Sequence, residues 1–547
     1  MPGIYRIVLI VFLMCPFTTF AQTYYWIGFT DKNGTPYTTD NPSAYLSERA
    51  VQRRAVQNIP IDELDLPVNP EYIVQVLDLG STFIHSSKWL NGITVKADST
   101  DFEASVISLP FVSEIQITKR DTATIKSVKN KFIELNYEDD LPIDTSYYGS
   151  SVYQVGQLNG QYLHNKNYLG QGKQVAVLDA GFYNVQINPA FDSLWANGQI
   201  LGSRDFVNPG SEFFSEHYHG MSVLSIMGGN IPGELIGTAP EASYWLIRSE
   251  DSSSEFIIEE DNWVAAAEFA DSVGADIINS SLGYFLFDDS ATNHSYADMD
   301  GRTTRVTKAA NIAVTRGLLV VASAGNEGND PWKYIIAPSD GDNVIGVGAV
   351  NRDGLPAPFT SYGPASDGDV KPNVSAVGWN TTVQRSNGSV AAGSGTSYSG
   401  PVIAGMAACL WQAYPEASSF QIKNAIEKSA DLFNSPDSLL GYGIPDFMLA
   451  SQILEQSLAD DPGSSDDWFI YPNPFKERLV LFQLTDTFTG EIRFEFFDIS
   501  GRLLRQQTIP SNPVMVINNL SGLPEGLLIL RVHSDSDPLS FKLIKIE

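Results

Sequence analysis

Between residues 152 and 458, short apolar runs that end in turn residues alternate with segments of helical spacing. The runs lie at residues 174–178, 276–278, 318–321 and 344–347, and helical segments lie at residues 263–273 and 305–315. Buried strands that alternate with helices predict an α/β fold, a doubly wound parallel sheet covered on both faces. Sites in such sheets form outside the carboxyl ends of the strands. We therefore expect reactive side chains where these runs end.

The composition of the chain fits several packed globular domains. Its 547 residues predict three or four units, and 43% hydrophobic against 18% charged residues argue against disorder and against a coiled coil. With 64 acidic and 34 basic residues, the formal net charge is −30. Because nucleic-acid affinity comes largely from lysine and arginine, this charge argues against nucleic acid as a partner.

The amino terminus has the layout of a secretory signal peptide at residues 1–21. An apolar run at residues 7–12 follows a basic residue, and the sequence Thr19-Phe20-Ala21 after it completes a layout that predicts cleavage after Ala21. The alternative is a membrane anchor, but Pro16 keeps the run far below the roughly 20 residues of a membrane-spanning helix. Lipid attachment at Cys15 is disfavoured, because a large residue stands before it. We therefore predict export.

The segments on either side of the alternating region differ from it in pattern. Residues 24–118 mix short strands and helices and predict a small α+β unit. A polar passage at residues 119–144 has the composition of a linker or an exposed processing segment. After a linker-like spacer at residues 459–467, residues 468–547 predict an all-β sandwich.

Four side chains stand at the ends of apolar runs or at the start of helical segments. Asp179 follows the run at residues 174–178, and Asn326 follows the run at residues 318–321. His219 opens a helical segment, and Ser397 lies in a glycine-serine stretch that opens an apolar helix. Each alone has a structural explanation, since aspartate caps helices and glycine-serine stretches form turns. Together they offer a nucleophile, a base, a carboxylate and an oxyanion donor.

A histidine pair and a strand end leave two further interpretations open. His217 and His219 together could bind a metal, but no carboxylate or cysteine cluster at ligand spacing accompanies them. We favour a surface histidine beside a catalytic one. After the run at residues 276–278, the stretch at residues 279–283 offers an unpaired edge for an extended peptide.

The order aspartate, histidine, asparagine, serine is carried by VAVLDAG, HGMSVLSI, VVASAGNEG and GTSYSGP. It resembles the subtilisin-like serine proteases, or subtilases, over about residues 152–450. The resemblance implies that Asp179 orients His219, that His219 takes the proton of Ser397, and that Ser397 attacks the scissile carbonyl of a protein or peptide substrate. Asn326 and the Ser397 amide would hold the oxyanion, and no cofactor would be required for the chemistry.

The same resemblance assigns a substrate cleft lined by Ser281, Leu282, Gly283, Ala324 and Gly325. Met221 and Ser222 stand where the family usually has Thr-His, and Tyr398-Ser399 replace the common Met-Ala. We expect these departures to alter substrate preference and rate without touching a triad atom. An inactive subtilase-like protein that binds peptides through this cleft is the competing interpretation, and the intact set of catalytic groups disfavours it.

Structural calcium is a further implication of the resemblance. The insertion-like stretch at residues 284–305 carries Asp288, Asp289, Asp298 and Asp300, which could supply oxygen ligands. Their spacing fits no complete calcium loop, and acidic loops are usually solvated. The stretch is therefore either a calcium site or a solvated acidic loop.

The flanking segments resemble companions of subtilases. Residues 22–131, with LSERA and SKWLN, resemble an inhibitory propeptide and its processing segment, and residues 132–458 correspond to the peptidase domain. After the linker at residues 459–467, residues 468–547, with YPNP, FDISGR and FKLIKI, resemble a type IX secretion sorting domain. That resemblance implies an outer-membrane secretion machinery as a partner and a secreted or surface location. A carbohydrate-binding or adhesive sandwich is the alternative for the tail.

Overall fold

The computed structural model describes residues 22–99, 101–120, 146–459, 468–471, 475–483, 490–499, 501–510, 514–533 and 538–545. The expected signal peptide, most of the polar passage at residues 119–144 and nearly all of the expected spacer lie outside these residues. Within the described part of the chain, no helix is long and apolar enough to cross a membrane.

Residues 23–120 form the small α+β unit that the sequence predicts. Its elements are β1 (Thr23–Phe29), α1 (Glu48–Val56), α2 (Pro70–Leu77), β2 (Ser81–Ser87), β3 (Gly92–Ala97), α3 (Phe102–Ile107) and β4 (Val112–Arg120). The strands pair antiparallel in the order β2-β3-β1-β4. Buried side chains of the sheet, α2 and α3 form a hydrophobic core that belongs to this unit alone.

The predicted doubly wound sheet is confirmed in the central region. The first half of this region contains α4 (Val152–Gly156), α5 (Gln161–His164), β5 (Gln174–Asp179), α6 (Asp192–Ala196), β6 (Ile200–Asp205), α7 (His219–Gly228), β7 (Asn230–Ile231), β8 (Leu235–Ile236), β9 (Ser243–Arg248) and α8 (Ile258–Val273). The second half contains β10 (Ile277–Ser280), α9 (Arg305–Thr315), β11 (Leu319–Ser323), β12 (Ile345–Val350), β13 (Val374–Val377), β14 (Thr381–Gln384), β15 (Val390–Gly393), α10 (Thr396–Ala413), α11 (Ser419–Lys428) and α12 (Phe447–Ala459).

Seven strands of this region pair parallel in the order β13-β12-β11-β10-β5-β9-β6. After β5, the chain places β6 and β9 on one side of that strand. It then crosses over and places β10 on the other side. The strand order therefore reverses between β5 and β10, and ligand crevices form at such a reversal. Two separate hydrophobic cores cover the two faces of the sheet.

Two elements differ in length from the sequence-based expectation. Helix α8 begins at Ile258, earlier than the expected residue 263, and its first turn carries Glu259, Glu260 and Asp261. The helix dipole stabilises carboxylates in the first turn, so the helix can begin with these acidic residues. Their charge interrupts the apolar spacing from which the sequence-based start was taken. Strand β10 extends to Ser280, past the expected residue 278.

The tail forms two antiparallel sheets that share one core, as expected for a sandwich. Its strands are β16 (Trp468–Tyr471), β17 (Leu479–Gln483), β18 (Glu491–Asp498), β19 (Leu503–Pro510), β20 (Val514–Ile517), β21 (Gly526–His533) and β22 (Leu539–Lys545). One arginine just before β17 reaches the central region, where Arg478 Nη2 donates to Asp342 at 3.2 Å and to Asp367 at 3.1 Å.

Candidate active site

A hydrogen bond joins the end of β5 to the start of α7. Asp179 is the last residue of β5, and His219 is the first residue of α7. His219 Nδ1 donates to Asp179 Oδ1 at 2.8 Å, and the same oxygen accepts the N–H of Ala180 at 2.7 Å. Both side chains are buried. A carboxylate bonded to Nδ1 fixes the imidazole orientation, so Nε2 is the ring nitrogen suited to exchange a proton.

Two glycines allow this close approach of the helix to the strand end. A Cβ atom on Gly220 would lie 2.6 Å from the Gly181 carbonyl oxygen and 2.8 Å from Asp179 Cβ. Gly181 has a φ of 155°, and a Cβ there would lie 2.4 Å from the backbone nitrogen of His217. A side chain at either position would push the first turn of α7 away from Asp179, so both glycines set the geometry of the pair.

Ser397 is the second residue of α10 and exchanges hydrogen bonds with Ser281, the residue that follows β10. Ser397 Oγ donates to the Ser281 carbonyl oxygen at 3.2 Å, and Ser281 Oγ donates to the Ser397 carbonyl oxygen at 2.9 Å. The second bond is possible because residue 401, which would normally bond that carbonyl within the helix, is proline and has no N–H. This pair of bonds ties the helix start to the segment that follows β10.

Asn326 is oriented by the first residue of the same helix. Its Oδ1 accepts the Thr396 N–H at 2.8 Å and the Thr396 hydroxyl at 3.1 Å. Because the carbonyl oxygen of the amide is engaged, Nδ2 is the group that can donate to a ligand. A Cβ on Gly395 would lie 3.7 Å from Asn326 Oδ1 and 3.8 Å from the Ser397 nitrogen. The Asn326 amide and the Ser397 N–H therefore border the same small space.

The five residues expected to line the substrate cleft are Ser281, Leu282, Gly283, Ala324 and Gly325. Gly283 and Gly325 both lie against Ile336, because a Cβ on either would come within 3.1 Å of Ile336 Cδ1. Gly325 also has a φ of 114°, which disfavours a side chain. The Ala324 side chain is fully buried and packs in a small apolar cluster with Ile335 and Ala365.

One departure from the family pattern, Tyr398, lies next to a side chain of the expected site. The Tyr398 ring stacks on the His219 imidazole, with ring centroids 5.9 Å apart and planes inclined by 27°. Tyr398 therefore lies beside one of the side chains of the expected triad. Ser222 donates to the Gln384 carbonyl oxygen at 2.8 Å.

In the described part of the chain, the histidine pair belongs to no group of three metal-type ligands. His219 N–H donates to His217 Nδ1 at 3.3 Å, and the two ring centroids are 6.5 Å apart. Among the described residues, the groups of three side chains close enough to share a metal ion are Glu250, Glu255 and Glu259, and Asp342, Asp367 and Asp369. Neither group includes a histidine.

The four aspartates of residues 284–305 accept hydrogen bonds from backbone N–H groups. Asp288 accepts the N–H of Glu255, and Asp289, Asp298 and Asp300 accept N–H groups of residues two or three positions away. The group at Asp342, Asp367 and Asp369 has the oxygen donors that calcium prefers. Burial and neighbouring carboxylates raise the pKa of Asp342 to about 8 and that of Asp367 to about 7.

Comparison with known families identifies the class of protein. The subtilase family matches residues 170–443, about half of the chain. The chain therefore belongs to the subtilases and is a serine-type endopeptidase. Residues 24–136 match the peptidase S8 propeptide domain of Bacteroidota, and residues 469–547 match the secretion system C-terminal sorting domain. The protein is thus a subtilase with a propeptide, and its sorting domain directs it by type IX secretion to the cell surface or the exterior.

Two related proteases agree with this assignment. The chain is 28% identical over 335 residues to a thermostable alkaline protease of Halalkalibacterium halodurans, which covers 61% of this chain and 81% of the relative. It is 30% identical over 332 residues to a thermophilic serine proteinase of a Bacillus species, with 59% and 73% covered. A crystal structure of MycP1 without its propeptide superposes with a TM-score of 0.44 at 24% identity, with 55% and 96% covered.

The propeptide contacts α8 of the peptidase domain through α1, which begins within LSERA, and through SKWLN. Asp271, on α8, accepts hydrogen bonds from Arg53, Arg54 and Lys88. Glu268, one turn earlier, accepts the N–H groups of Lys88 and Trp89 at 2.9 and 3.0 Å. The Trp89 side chain is buried within the core that covers this face of the sheet. SKWLN therefore contacts α8 directly, whereas LSERA lies at the start of α1, the helix whose arginines contact α8.

Proposed function

We propose that the chain is an endopeptidase that hydrolyses peptide bonds through Asp179, His219 and Ser397 and an acyl-enzyme intermediate. The observation that carries this proposal is the 2.8 Å hydrogen bond from His219 Nδ1 to Asp179, at the sheet reversal, with Ser397 in the first turn of α10. No cofactor is needed, because the base, the nucleophile and the oxyanion donors all come from the chain.

The proposed reaction begins when Ser397 Oγ leaves its bond to the Ser281 carbonyl and turns toward a bound substrate. As Oγ bonds to the scissile carbonyl carbon, its proton passes to His219 Nε2, and the carbonyl π electrons move onto oxygen. Asp179 stabilises the imidazolium that forms. His219 then gives the proton to the leaving amine as the C–N bond breaks, and water hydrolyses the acyl-enzyme with the same residues.

The oxyanion is proposed to accept hydrogen bonds from Asn326 Nδ2 and from the Ser397 N–H. Thr396 supports this role, since it engages Asn326 Oδ1 and so directs the donor end of the amide toward the substrate. Both donors lie at the amino terminus of α10, whose dipole also favours negative charge.

Asn326→Ala is expected to lower kcat by about a hundredfold while KM changes little, because the amide bonds the oxyanion mainly in the transition state. Steady-state kinetics on a peptide substrate measure both constants. Asn343→Ala is a suitable control, because Asn343 is buried away from the cleft near α9. A rise in KM at unchanged kcat would make Asn326 a substrate-binding residue.

Labelling with a fluorophosphonate probe tests the function directly. The probe reacts with an activated serine, so mass spectrometry of the labelled chain should locate the adduct on Ser397. Ser399→Ala should still label, because Ser399 Oγ donates to the Thr396 carbonyl oxygen at 3.0 Å within the helix. A folded chain that stays unlabelled would instead be the peptide-binding protein without activity.

We further propose that the protein is made as an autoinhibited preproenzyme divided at residues 22–131, 132–458, 459–467 and 468–547. The family matches at residues 24–136 and 469–547 support the outer two units. Residues 1–21 would direct export across the inner membrane, the propeptide would block the cleft until it is cut, and the sorting domain would be recognised by the outer-membrane secretion machinery.

A further inference from the structure

Tyr398, next to the proposed nucleophile in sequence, is packed between the catalytic histidine and a β-hairpin. One face of its ring stacks on the His219 imidazole, 5.9 Å between centroids. On the hairpin side the ring lies against Gly393, where a Cβ atom would approach Tyr398 Cε2 to 2.7 Å. Only 5% of the tyrosine surface is exposed. The ring therefore has little room to move away from the histidine.

The same hairpin holds the helix that carries His219. Ser222 Oγ donates to the Gln384 carbonyl oxygen at 2.8 Å, and the Gln384 N–H donates to Ser225 Oγ at 2.9 Å. Gln384 is the last residue of β14, which pairs with β15, and β15 ends at Gly393. The first turns of α7 and the Tyr398 ring are thus fixed against one another by a single hairpin.

We propose that Tyr398 is a positioning residue for His219, acting from the hairpin formed by β14 and β15. Asp179 holds one ring nitrogen of His219, and the tyrosine face restricts the tilt of the ring about that bond. The face of an aromatic ring is electron-rich and attracts a cation within about 6 Å. Tyr398 therefore stabilises the imidazolium that forms when His219 takes the Ser397 proton. This inference rests on the proposed function.

Tyr398→Leu is expected to lower kcat about tenfold with KM within about twofold, since a cation–ring contact acts only once the imidazolium forms. The acid limb of the pH dependence of kcat/KM should also move to lower pH. Tyr398→Phe keeps the ring and should retain kcat within about twofold. Kinetics of the matured full chain, normalised to the concentration of fluorophosphonate-reactive sites, give all three readouts.

Two further variants keep the outcome decisive. Gly393→Ala should press on the ring and give the same loss of kcat even if Tyr398→Leu does not fold, because the added methyl group and Cε2 cannot both stay in place. Tyr414→Leu, at the other end of α10, should leave kcat unchanged.

Three results would overturn the proposal. They are wild-type kcat in both Tyr398→Leu and Gly393→Ala, a change confined to KM, or an equal loss in Tyr398→Phe, which would assign the role to the hydroxyl. Failure of the proposed function is distinguishable from these, since the unmodified chain would then not react with the probe at all.

Discussion

Ser397→Ala, at the proposed nucleophile, is expected to abolish peptide hydrolysis, with a fall in kcat on the order of 10⁶-fold. The substitution removes the only atom of the side chain that can bond to the scissile carbon. It also removes one hydrogen bond, from Oγ to the Ser281 carbonyl oxygen, worth about 1 kcal/mol. The fold should survive this loss, because the second bond, from Ser281 Oγ to the Ser397 backbone, is kept.

The same variant reports on maturation. If the propeptide is removed by the enzyme itself, Ser397→Ala should accumulate at the precursor size on a denaturing gel, whereas the control Ser399→Ala should mature. Peptide hydrolysis and precursor size are measured on the same preparations. Appreciable turnover by Ser397→Ala would contradict the assigned nucleophile, and normal processing of an inactive variant would assign maturation to another protease.

The sequence predicts the sheet and its site because the relevant signals are local. A buried strand needs a continuous apolar run, and the chain must turn at its end, so Asp179 is recognisable at the end of one such run and Asn326 in the turn after another. The reversal of strand order then brings distant strand ends together. The parallel sheet is therefore predictable from the sequence, and so is the grouping of Asp179 with His219 at one edge.

The contacts that refine the site have no such signal. Ser281 bonds Ser397 across 116 residues, and the bond depends on the missing N–H of Pro401. The stacking of Tyr398 on His219 depends on how α10 packs beside α7, which no periodicity reports. Arg478 reaches Asp342 and Asp367 from a separately folded unit. Each depends on tertiary packing, which single-residue patterns do not encode.

Asp271→Asn is expected to weaken the hold of the peptidase domain on its cleaved propeptide by about 10²–10⁴-fold, since breaking a buried ion pair costs about 3–5 kcal/mol. The Asp271 carboxylate is fully buried and faces Arg53, Arg54 and Lys88. Burial alone would raise its pKa, but the charges of Lys88, Arg54 and Arg53 outweigh burial and hold the pKa well below the ordinary value. Asparagine at residue 271 leaves the three cationic side chains buried without the negative charge that they share.

The depressed pKa also sets the pH dependence of this contact. A carboxyl group whose pKa is lowered in the folded complex stabilises it above the pKa of the free group, and that contribution is lost as pH falls through the lowered pKa. The contribution of Asp271 is therefore fully present at neutral pH and persists into acid. Mild acidification should not release the propeptide through this residue.

Asp276→Asn is the matched control for the substitution of Asp271. Asp276 pairs with Arg49 of the same propeptide helix, but the arginine side chain is 36% exposed, so water and salt screen the pair. Asparagine at residue 276 also keeps an oxygen that can accept the Gln174 N–H, which bonds Asp276 at 2.8 Å. Its effect on propeptide retention should be below about tenfold.

Gel filtration of the self-processed chain separates the two explanations of propeptide retention. If the charges around Asp271 dominate, Asp271→Asn should elute without its propeptide and gain activity sooner, and Asp276→Asn should elute as the complex. If burial of Trp89 in the core of the peptidase domain dominates, both variants should keep the propeptide. Unchanged kcat on a small peptide after release would show that Asp271→Asn keeps the catalytic fold. The carboxylate would then act on regulation alone, since it lies on α8 and contacts none of the proposed catalytic residues in the described structure.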